Sequence, residues 1–540
     1  MGEDITTDAI VLGAGHNGLI LQAYLCRAGL NVICLERTDK PGGGLATVED
    51  PRYPGFLHNT HSFFHRAITQ MPWFDDLHLE RYGARYIEPE LNVALVLRNG
   101  DVLKWYTDFE RTEDSFARFS KRDAHTLRQW RDAFDPVVRN ILSVEAQAPP
   151  LPQALRRKIL SQTREGRMLL EVSALSPHEF VNREFEHPVI RAGLLFFNGL
   201  REVDLRAAGF GHHIPALLAS KGKAQICVGG AAGLARALVA AISDMGGEIW
   251  LQTEPGRIVV EDNRVRGVET ADGKYIKAPV VISSLNPHQT FLDLMDREAL
   301  PHTWQNRVDR FQYNVLAPLF ALHLNLDEPP RYRALEKHPE VADALMVILG
   351  LEHADQYVDI VAHHEKGTIP PTVMWGACPT HFDATQAPLE KHTAFMWQKL
   401  PFHLYGDSAN WDRQRDAVGR DMLDMWSKYA PNLKDCVIDS FVRSPLDVER
   451  ALPNMRDGDL LVGAFTNGQT GYNRPFPGAG HYRGCFEGLY LCGSCCHPGG
   501  NVTGLPGYNA AQVIHSDLGI NASWIPDPVD VALGGKPASG

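Results

Sequence analysis

The fold is decided by the stretch Asp8-Ala9-Ile10-Val11-Leu12-Gly13-Ala14-Gly15-His16-Asn17-Gly18, where an apolar run breaks at G-x-G-x-x-G and then continues as a helix. In this pattern Gly13 permits a sharp turn after a strand, Gly15 lets the backbone approach a phosphate, and Gly18 lets the helix pack closely on the sheet. The N-terminal amides of the helix and its dipole would face the anion. The stretch predicts a turn that binds a pyrophosphate.

The residues after this turn continue the same pattern. Apolar positions at helical spacing predict a helix from Asn17 to Ala28 that ends at Gly29, and residues 31–35 form a second short apolar run. Glu36 then lies roughly 20 residues past the glycines, where a carboxylate can accept both ribose hydroxyls of a dinucleotide. The alternative is a tight structural turn with no ligand and an exposed Glu36. Strand, turn, helix, strand and acid in this order favour the dinucleotide.

The composition is that of an ordinary globular protein and excludes some functions. The 540 residues carry a net charge of −12, and no segment supplies the clustered Lys and Arg that nucleic-acid binding needs. No apolar run approaches the roughly 20 residues that span a bilayer, although amphipathic helices in 106–221 leave peripheral membrane contact open. Nine scattered cysteines suit a reducing compartment, and we expect a cytoplasmic protein.

Cys492 and Cys495 form one C-x-x-C, but it has no second C-x-x-C or paired histidines beside it. A redox dithiol or half a zinc site is therefore less favoured than a tightly packed turn of small residues. The scattered histidines also lack an i, i+4 pair with a supporting carboxylate, so we expect no metal site.

Further glycine clusters indicate that one nucleotide-binding domain is assembled from three separate chain segments. Pro41-Gly42-Gly43-Gly44 returns bare backbone towards the phosphates soon after Glu36. Residues 229–284 predict a helix, several strands with a hairpin at Asp272-Gly273, and a buried strand. Residues 488–493 predict another buried strand, followed by a glycine-rich loop and a final helix that starts near Gly507.

These motifs resemble the phytoene desaturase-like flavoproteins, and within them the branch of pyridine nucleotide-disulphide oxidoreductase domain-containing protein 2 more than the carotenoid enzymes. The resemblance spans most of the chain and is weakest in the middle. It is carried by "GAGHNGL" at 13–19, "LER" ending at Arg37, "PGGG" at 41–44, "PGF" at 54–56, "RP" at 474–475 and "GLYLCGSCCHPGGNVTGLPGYNAA" at 488–511.

The resemblance implies non-covalently bound FAD in a Rossmann-like α/β domain of the glutathione reductase type, with a mixed α+β substrate domain beside it. It places Glu36 on the adenosine ribose and the last glycine loop against the isoalloxazine. A helix N-terminus near Gly507 would favour the negative charge of the reduced ring. The expected cofactor-binding residues are Gly13, Gly15, His16, Asn17, Gly18, Glu36, Arg37, Gly43, Gly44, Gly493, Gly500, Gly504 and Gly507.

Two departures from the family pattern concern the substrate. Gly44-Leu45 stands where carotenoid enzymes usually carry an arginine, and Cys495-Cys496 stands where the related branch commonly has small or hydroxylic residues. The resemblance therefore supports the flavin more strongly than a carotenoid substrate.

The predicted organisation alternates flavin and substrate segments along the chain. The FAD-binding segments are 1–105, 222–300 and 480–525. A helical cap over 106–221 and a mixed sheet over 301–479 would form the substrate half, and 526–540 would be a mobile tail.

Histidines are the candidate acids and bases. His61 follows the second glycine cluster, where related flavoproteins return the chain to the substrate side of the ring, and a base there would accelerate proton removal by about 10²- to 10⁴-fold. His497 begins the flavin-adjacent loop. Each has an alternative role, hydrogen bonding to backbone for His61 and turn formation for His497.

The aromatic residues Trp375, Phe382, Phe395, Trp397 and Phe402 have two interpretations. Alternating aromatics on strands are more often core than ligand contacts, and we expect core for most of them. Some of the group would line an apolar cavity for a lipid-like or cyclic substrate.

We therefore expect an FAD-dependent oxidoreductase that removes hydride and a proton from an apolar isoprenoid, lipid-like or cyclic molecule, with reoxidation by oxygen, a quinone or another acceptor. One alternative is an amine or amino-acid oxidase, which would need a carboxylate-binding or electrophilic arginine such as Arg66 or Arg474. Another is a flavin-stabilised binding protein without turnover. The sequence leaves the oligomeric state open.

Overall fold

The computed structural model describes residues 5–197 and 202–534. Its strands are β1 Ile5–Thr6, β2 Ala9–Leu12, β3 Val32–Leu35, β4 Thr47–Glu49, β5 Leu57–Asn59, β6 His65–Arg66, β7 Tyr86–Ile87, β8 Leu91–Val96, β9 Val102–Tyr106, β10 Ala224–Cys227, β11 Glu248–Trp250, β12 Pro255–Glu261, β13 Arg264–Thr270, β14 Tyr275–Lys277, β15 Val280–Ser283, β16 Leu319–Leu326, β17 Ala344–Leu349, β18 Met374–Ala377, β19 His392–Lys399, β20 Val437–Arg443 and β21 Leu489–Leu491.

The helices lie mainly in the predicted cap, at the ends of the parallel strands and before β20. They are α1 His16–Arg27, α2 Pro72–Asp76, α3 Phe109–Ala117, α4 Lys121–Val137, α5 Ser143–Ala146, α6 Gln153–Leu160, α7 Arg164–Ser173, α8 Pro177–Glu184, α9 Pro188–Phe197, α10 His213–Ala219, α11 Ala232–Asp244, α12 His302–Val308, α13 Asp355–Lys366, α14 Trp411–Tyr429, α15 Leu433–Cys436, α16 Pro445–Ala451, α17 Leu505–Asp517 and α18 Val529–Ala532.

A five-stranded parallel sheet with the order β11-β3-β2-β15-β21 carries the glycine turn. Its strands come from three distant parts of the chain, as the sequence predicted for the nucleotide-binding unit. The inner strands are buried throughout, because α1, α11 and α17 cover the sheet and leave little polar surface beside it. The predicted Rossmann-like α/β class is confirmed.

A seven-stranded mixed sheet, β20-β16-β19-β18-β17-β8-β9, forms the second half. It is antiparallel except for the pair β17 and β8. Successive side chains along its strands point into two different cores. In β16, Phe320, Leu322 and Leu324 face the core under α14, whereas Leu319 and Ala321 face the core that includes the cap helices. The sheet is thus buried on both faces, which explains its long apolar strands.

The structure differs from the sequence expectation at two places along the chain. The strand expected over 315–324 begins at Leu319, and Val315 is largely exposed. The expected mobile tail includes α18, in which Val529 is buried, and Leu533 after it packs against the core that includes the cap helices. Residues 535–540 of that tail lie outside the described residues.

Candidate active site

A cavity of about 1080 Å³ runs from the glycine turn of the parallel sheet to the face of the seven-stranded sheet. Gly13 and Glu36 line one part of its wall, and Phe63 and Trp397 line another. Pockets for a single small ligand have volumes of roughly 300–1,000 Å³. This cavity therefore has room for a dinucleotide together with a substrate.

The glycine turn has the geometry that a bound pyrophosphate requires. Gly13 has a φ of +90°, which favours glycine, and it links β2 to α1. Gly15 has an ordinary extended conformation, and an added Cβ would meet no atom within 4 Å. The first-turn amides of α1 have no partner within the helix, and His16 and Asn17 also line the cavity.

The second glycine cluster lies directly against the first. The Gly42 amide donates a hydrogen bond of 2.8 Å to the Ala14 carbonyl, and Gly15 and Gly42 form a parallel bridge. Gly43 and Gly44 both line the cavity. Bare backbone from the two clusters therefore meets at one place on the wall.

Glu36 and Arg37 lie at the carboxyl end of β3 and line the cavity. One carboxylate oxygen of Glu36 accepts from the Ala14 amide at 2.9 Å, and the other accepts from the amide and hydroxyl of Thr38. The oxygen bonded to Ala14 keeps a lone pair, so the carboxylate is held in place and can still accept one ribose hydroxyl.

Two buried polar atoms near the start of α1 have no hydrogen-bond partner, His16 Nε2 and Asn17 Oδ1. Burial lowers the pKa of His16 to about 4, so its imidazole is neutral at pH 7. Unsatisfied buried polar atoms are costly unless a ligand satisfies them. Together with the open space at Gly15, they fit the phosphates and ribose of a dinucleotide.

The last chain segment contributes both wall and packing. Gly500 lines the cavity with Asn501, Val502 and Thr503, directly before α17. The helix begins at Leu505, two residues before Gly507, and Thr503 just before it lines the cavity.

Four of the expected cofactor-binding glycines are packing positions outside the cavity wall. An added Cβ would lie 2.4 Å from the Gly13 carbonyl at Gly18, 2.4 Å from the Ser284 carbonyl at Gly493, 2.4 Å from Ile20 Cδ1 at Gly504, and 2.2 Å from the Asn17 carbonyl at Gly507. These glycines let α1, α17 and β15 approach one another. They support the site from behind, which the motif predicts for Gly18 but not for the other three.

His61 lies on the cavity wall beside the apolar residues Phe63 and Phe64. Its Nδ1 is 3.0 Å from the Thr60 hydroxyl, and Nε2 is 3.5 Å from an Arg443 guanidinium nitrogen. Burial, and then the Arg443 charge, lower the pKa of His61 to about 3. The imidazole is therefore neutral at pH 7, with Nε2 as its acceptor atom.

His497 is placed differently from the sequence expectation. It is not among the residues that line the cavity, and its Nε2 donates a 2.9 Å hydrogen bond to the Glu145 carbonyl. Burial lowers its pKa to about 4. Because His497 lies off the cavity wall and its Nε2 is bonded to a backbone carbonyl, it joins the last loop to α5 and is not positioned as a base towards a ligand in the cavity.

Arg474, one of the arginines considered for an amine or amino-acid oxidase, is fully buried outside the wall. Its guanidinium donates to four carbonyls, those of Gly463, Ala464, Gln469 and Ser494. The second arginine, Arg66, lines the cavity. Arg474 therefore fixes the loops behind the cavity.

The aromatic residues follow the expected division. Trp397 lines the cavity, whereas Trp375, Phe382, Phe395 and Phe402 pack in the cores on the two faces of the seven-stranded sheet.

Several parts of the wall were not found from the sequence. A π-helical turn at Val138–Leu142 follows Pro136 in α4 and presents three residues to the cavity. His212 and His213 lie on the wall at the start of α10, and Leu460–Val462 contributes apolar surface. The proline inside a helical pattern and the histidine pair before an apolar helix were the available signals.

The cysteines show no arrangement for catalysis. All nine are unpaired, and Cys492, Cys495 and Cys496 are buried, with burial raising the pKa of Cys492 and Cys496. Within residues 5–197 and 202–534, no group of three or more His, Cys, Asp and Glu side chains is placed to hold a metal ion. In the same ranges no helix combines the length and apolar character needed to cross a bilayer.

Comparison with known proteins gives matches over part and over nearly all of the chain. The model of the NAD(P)-binding Rossmann-like domain family matches residues 11–78. One of the polypeptides of limonene dehydrogenase from Castellaniella defragrans is 28% identical, and the match covers 98% of this chain and 99% of that protein. Pyridine nucleotide-disulfide oxidoreductase domain-containing protein 2 of Rattus norvegicus is 27% identical, and the match covers 95% of this chain and 94% of that protein.

More distant matches extend the same picture. A lycopene-forming phytoene desaturase of Paracoccus is 23% identical, covering 94% of this chain and 97% of that protein. Among solved structures, cyclohexylamine oxidase of Brevibacterium oxydans has a TM-score of 0.56 at 15% identity, covering 95% of this chain and 99% of that one. The structural match supports the two-part fold, and the sequence matches confirm the predicted resemblance.

Proposed function

We propose that this chain, whose sequence is similar to the phytoene desaturase-like FAD-dependent oxidoreductases, introduces a carbon–carbon double bond into an apolar isoprenoid, lipid-like or cyclic substrate. One observation carries the proposal: a single cavity joins the glycine turn to a wall that includes Phe63, Phe64 and Trp397. A substrate with little polarity would bury its surface there at roughly 25 cal/mol per Å².

FAD, when bound, supplies the hydride acceptor for this chemistry. We assign it to Gly13, Gly15, Gly43, Glu36 and the Gly500 loop, with His16, Asn17, Arg37 and Gly44 around it. Gly18, Gly493, Gly504 and Gly507 would support these groups through packing. In this assignment the chain would be divided as expected, with flavin segments at 1–105, 222–300 and 480–525 and substrate segments between them.

The residues of the substrate half would exclude water and accept the proton. When hydride leaves an allylic carbon, the neighbouring C–H becomes strongly acidic, so a weak base is sufficient. The neutral imidazole of His61 carries its lone pair on Nε2, and taking this proton would replace the long 3.5 Å contact with Arg443. The nearby Arg443 charge disfavours a lasting imidazolium, so the proton would pass on to solvent.

The amine-oxidase alternative has less support from the site. Arg474 is committed to backbone carbonyls and only Arg66 of the two arginines lines the cavity.

The electron acceptor is proposed to be oxygen, a quinone or another oxidant. The unpaired cysteines suit a reducing compartment, and we keep the cytoplasm as the proposed location.

Anaerobic reduction of the purified yellow enzyme tests the proposal. We expect limonene or a longer isoprenoid to bleach the flavin and to yield a product that has lost two hydrogens by mass spectrometry. Putrescine and cyclohexylamine should leave the colour unchanged. Bleaching by amines, with peroxide released in air, would establish the oxidase alternative. A protein that keeps its FAD and binds these compounds but is reduced by none would be a binding protein.

A further inference from the structure

A second, smaller cavity of about 40 Å³ adjoins the main one. Phe64, Arg66 and Leu217 line both cavities, so the small one opens beside the substrate half. Most of its wall is apolar, but Arg66, Asn92 and Lys223 also line it. The small cavity is thus an apolar pocket with two cationic side chains.

Lys223 precedes β10 and is held from two sides. Its ammonium donates to the Ser220 carbonyl at 2.7 Å and lies 5.8 Å from the ring centroid of Trp105. An ammonium has three donors, so one bond to a carbonyl leaves capacity for a ligand oxygen. The geometry holds a cation in place at the wall of a small pocket.

The electrostatics of this pocket favour an anion. Burial, and then the charge of Arg66, lower the pKa of Lys223 to about 8, although the exposed Glu88 acts in the opposite direction. The charged form of Lys223 is thus disfavoured in the free protein, and an anion bound to its ammonium would favour that form. A bound carboxylate would also raise the pKa of Lys223 and keep it charged.

Asn92 does not compete for the ligand. Its amide nitrogen donates to the Pro89 carbonyl and the Thr107 hydroxyl, and its oxygen accepts from the Ala224 amide. Recognition in the pocket therefore depends on charge. Since one water-sized group needs about 10–15 Å³, the pocket holds about three such groups, the size of a carboxylate and too small for a phosphate.

We propose that Lys223 and Arg66 form a subsite for the carboxylate of an amphiphilic substrate whose apolar body lies in the main cavity. This inference rests on the proposed function, because it assumes that the reacting part of the molecule occupies the main cavity. The preferred substrate is then an isoprenoid or other apolar monocarboxylate, and a hydrocarbon such as limonene would react without the contact to this subsite.

Isothermal titration of the FAD-loaded enzyme with geranate and with its neutral methyl ester tests the subsite. At pH 7 we expect geranate to bind about 10- to 100-fold more tightly, the range of one or two charge-assisted hydrogen bonds. Lys223→Met should reduce this preference to a few-fold. Lys121→Met, which removes an exposed lysine on α4, should leave it unchanged.

The pH dependence gives a second measurement on the same protein. The preference for geranate should fall above about pH 8 in the wild type as free Lys223 loses its proton, and should be flat in Lys223→Met. Equal affinity for acid and ester, binding of neither, or a preference that survives in Lys223→Met would overturn the subsite.

The outcome is separable from that of the proposed function. If limonene reduces the flavin while acid and ester bind equally, desaturation stands and the subsite fails. If the Lys223-dependent preference is present but no isoprenoid reduces the flavin, the subsite stands and desaturation fails. Bleaching by amino acids but not by geranate would assign the carboxylate pocket to an amino-acid oxidase.

Discussion

The two sides of the main cavity are built from different parts of the polypeptide. On the cofactor side the wall is backbone, at Gly13, Gly15 and Gly43, whereas on the substrate side it is side chains such as Phe63 and Trp397. Every residue offers the same amide, so binding on the first side depends on the absence of side chains. Binding on the substrate side depends on which side chains are present. Single substitutions there can change the ligand that is bound while the cofactor side stays intact.

The largest expected effect separates ligand contact from packing within the glycine turn. In Gly15→Val the backbone, with φ −70° and ψ 163°, accepts a β-branched residue and the protein leaves the new side chain room. We expect a folded protein with an unchanged circular dichroism spectrum that has lost nearly all bound FAD after gel filtration. The new methyl groups would occupy the place of the phosphates.

Gly18→Val is the matched control for this prediction. Its Cβ would lie 2.4 Å from the Gly13 carbonyl, so the strain falls on the protein itself, at about 1–3 kcal/mol or more. We expect a lower melting temperature even with excess FAD. A yellow Gly15→Val enzyme with normal FAD content would show that the turn does not contact the cofactor.

The second prediction concerns the substrate side. His61→Ala should slow anaerobic flavin reduction by about 10²- to 10⁴-fold, because the proton acceptor is removed, while FAD content stays unchanged. His497→Ala should alter the rate by no more than a few-fold, since its ring is bonded to the Glu145 carbonyl away from the cavity. Stopped-flow absorbance measures both rates.

The pH profile sharpens this prediction. With a pKa of about 3, His61 is neutral throughout pH 5–9, so its contribution to the reduction rate should be constant over that range. Unchanged bleaching in His61→Ala would remove the residue from the mechanism and leave it a role in hydrogen bonding to Thr60.

The contrast between the cofactor side and the substrate side also explains what could be predicted from the sequence. The cofactor half depends on local patterns, the spacing of Gly13, Gly15 and Gly18 and the acid at Glu36, and its strands pair as expected. Gly507 shows the limit of such patterns, since a glycine that contacts a ligand and one that lets two helices approach are identical in sequence.

The substrate half depends on long-range pairing that a local pattern does not contain. The sheet joins β8 and β9 to β17 across about half of the chain, and no motif marks that register. The pocket with Lys223 and Arg66 also arises from long-range pairing, because β6 and β10 place Ala224, the residue after Lys223, opposite Arg66. Candidate residues of this half, such as His61, could be named, but their partners, such as Arg443, could not.

The smallest effect is on stability in acid, where the substrate side holds fully buried histidines. Burial lowers the pKa of His58 to about 4 and, with the charge of His16, that of His65 to about 3, both below the unfolded value of 6.5. The folded state therefore binds fewer protons, and the stabilisation is complete above pH 6.5 and lost as pH falls towards 4. Each group contributes a slope of up to about 1.4 kcal/mol per pH unit.

Urea unfolding of the holoenzyme with saturating FAD at pH 7.5, 6.0 and 5.0 measures this slope. His65→Phe fills the same buried site without titrating, so its stability should fall less between pH 6.0 and 5.0 than that of the wild type. His78→Asn, at an exposed position with a φ of +51° that asparagine accepts, should keep the wild-type slope. Equal slopes in all three proteins would mean that His65 is protonated in the folded state, in which case an anion or water must reach it from the cavity.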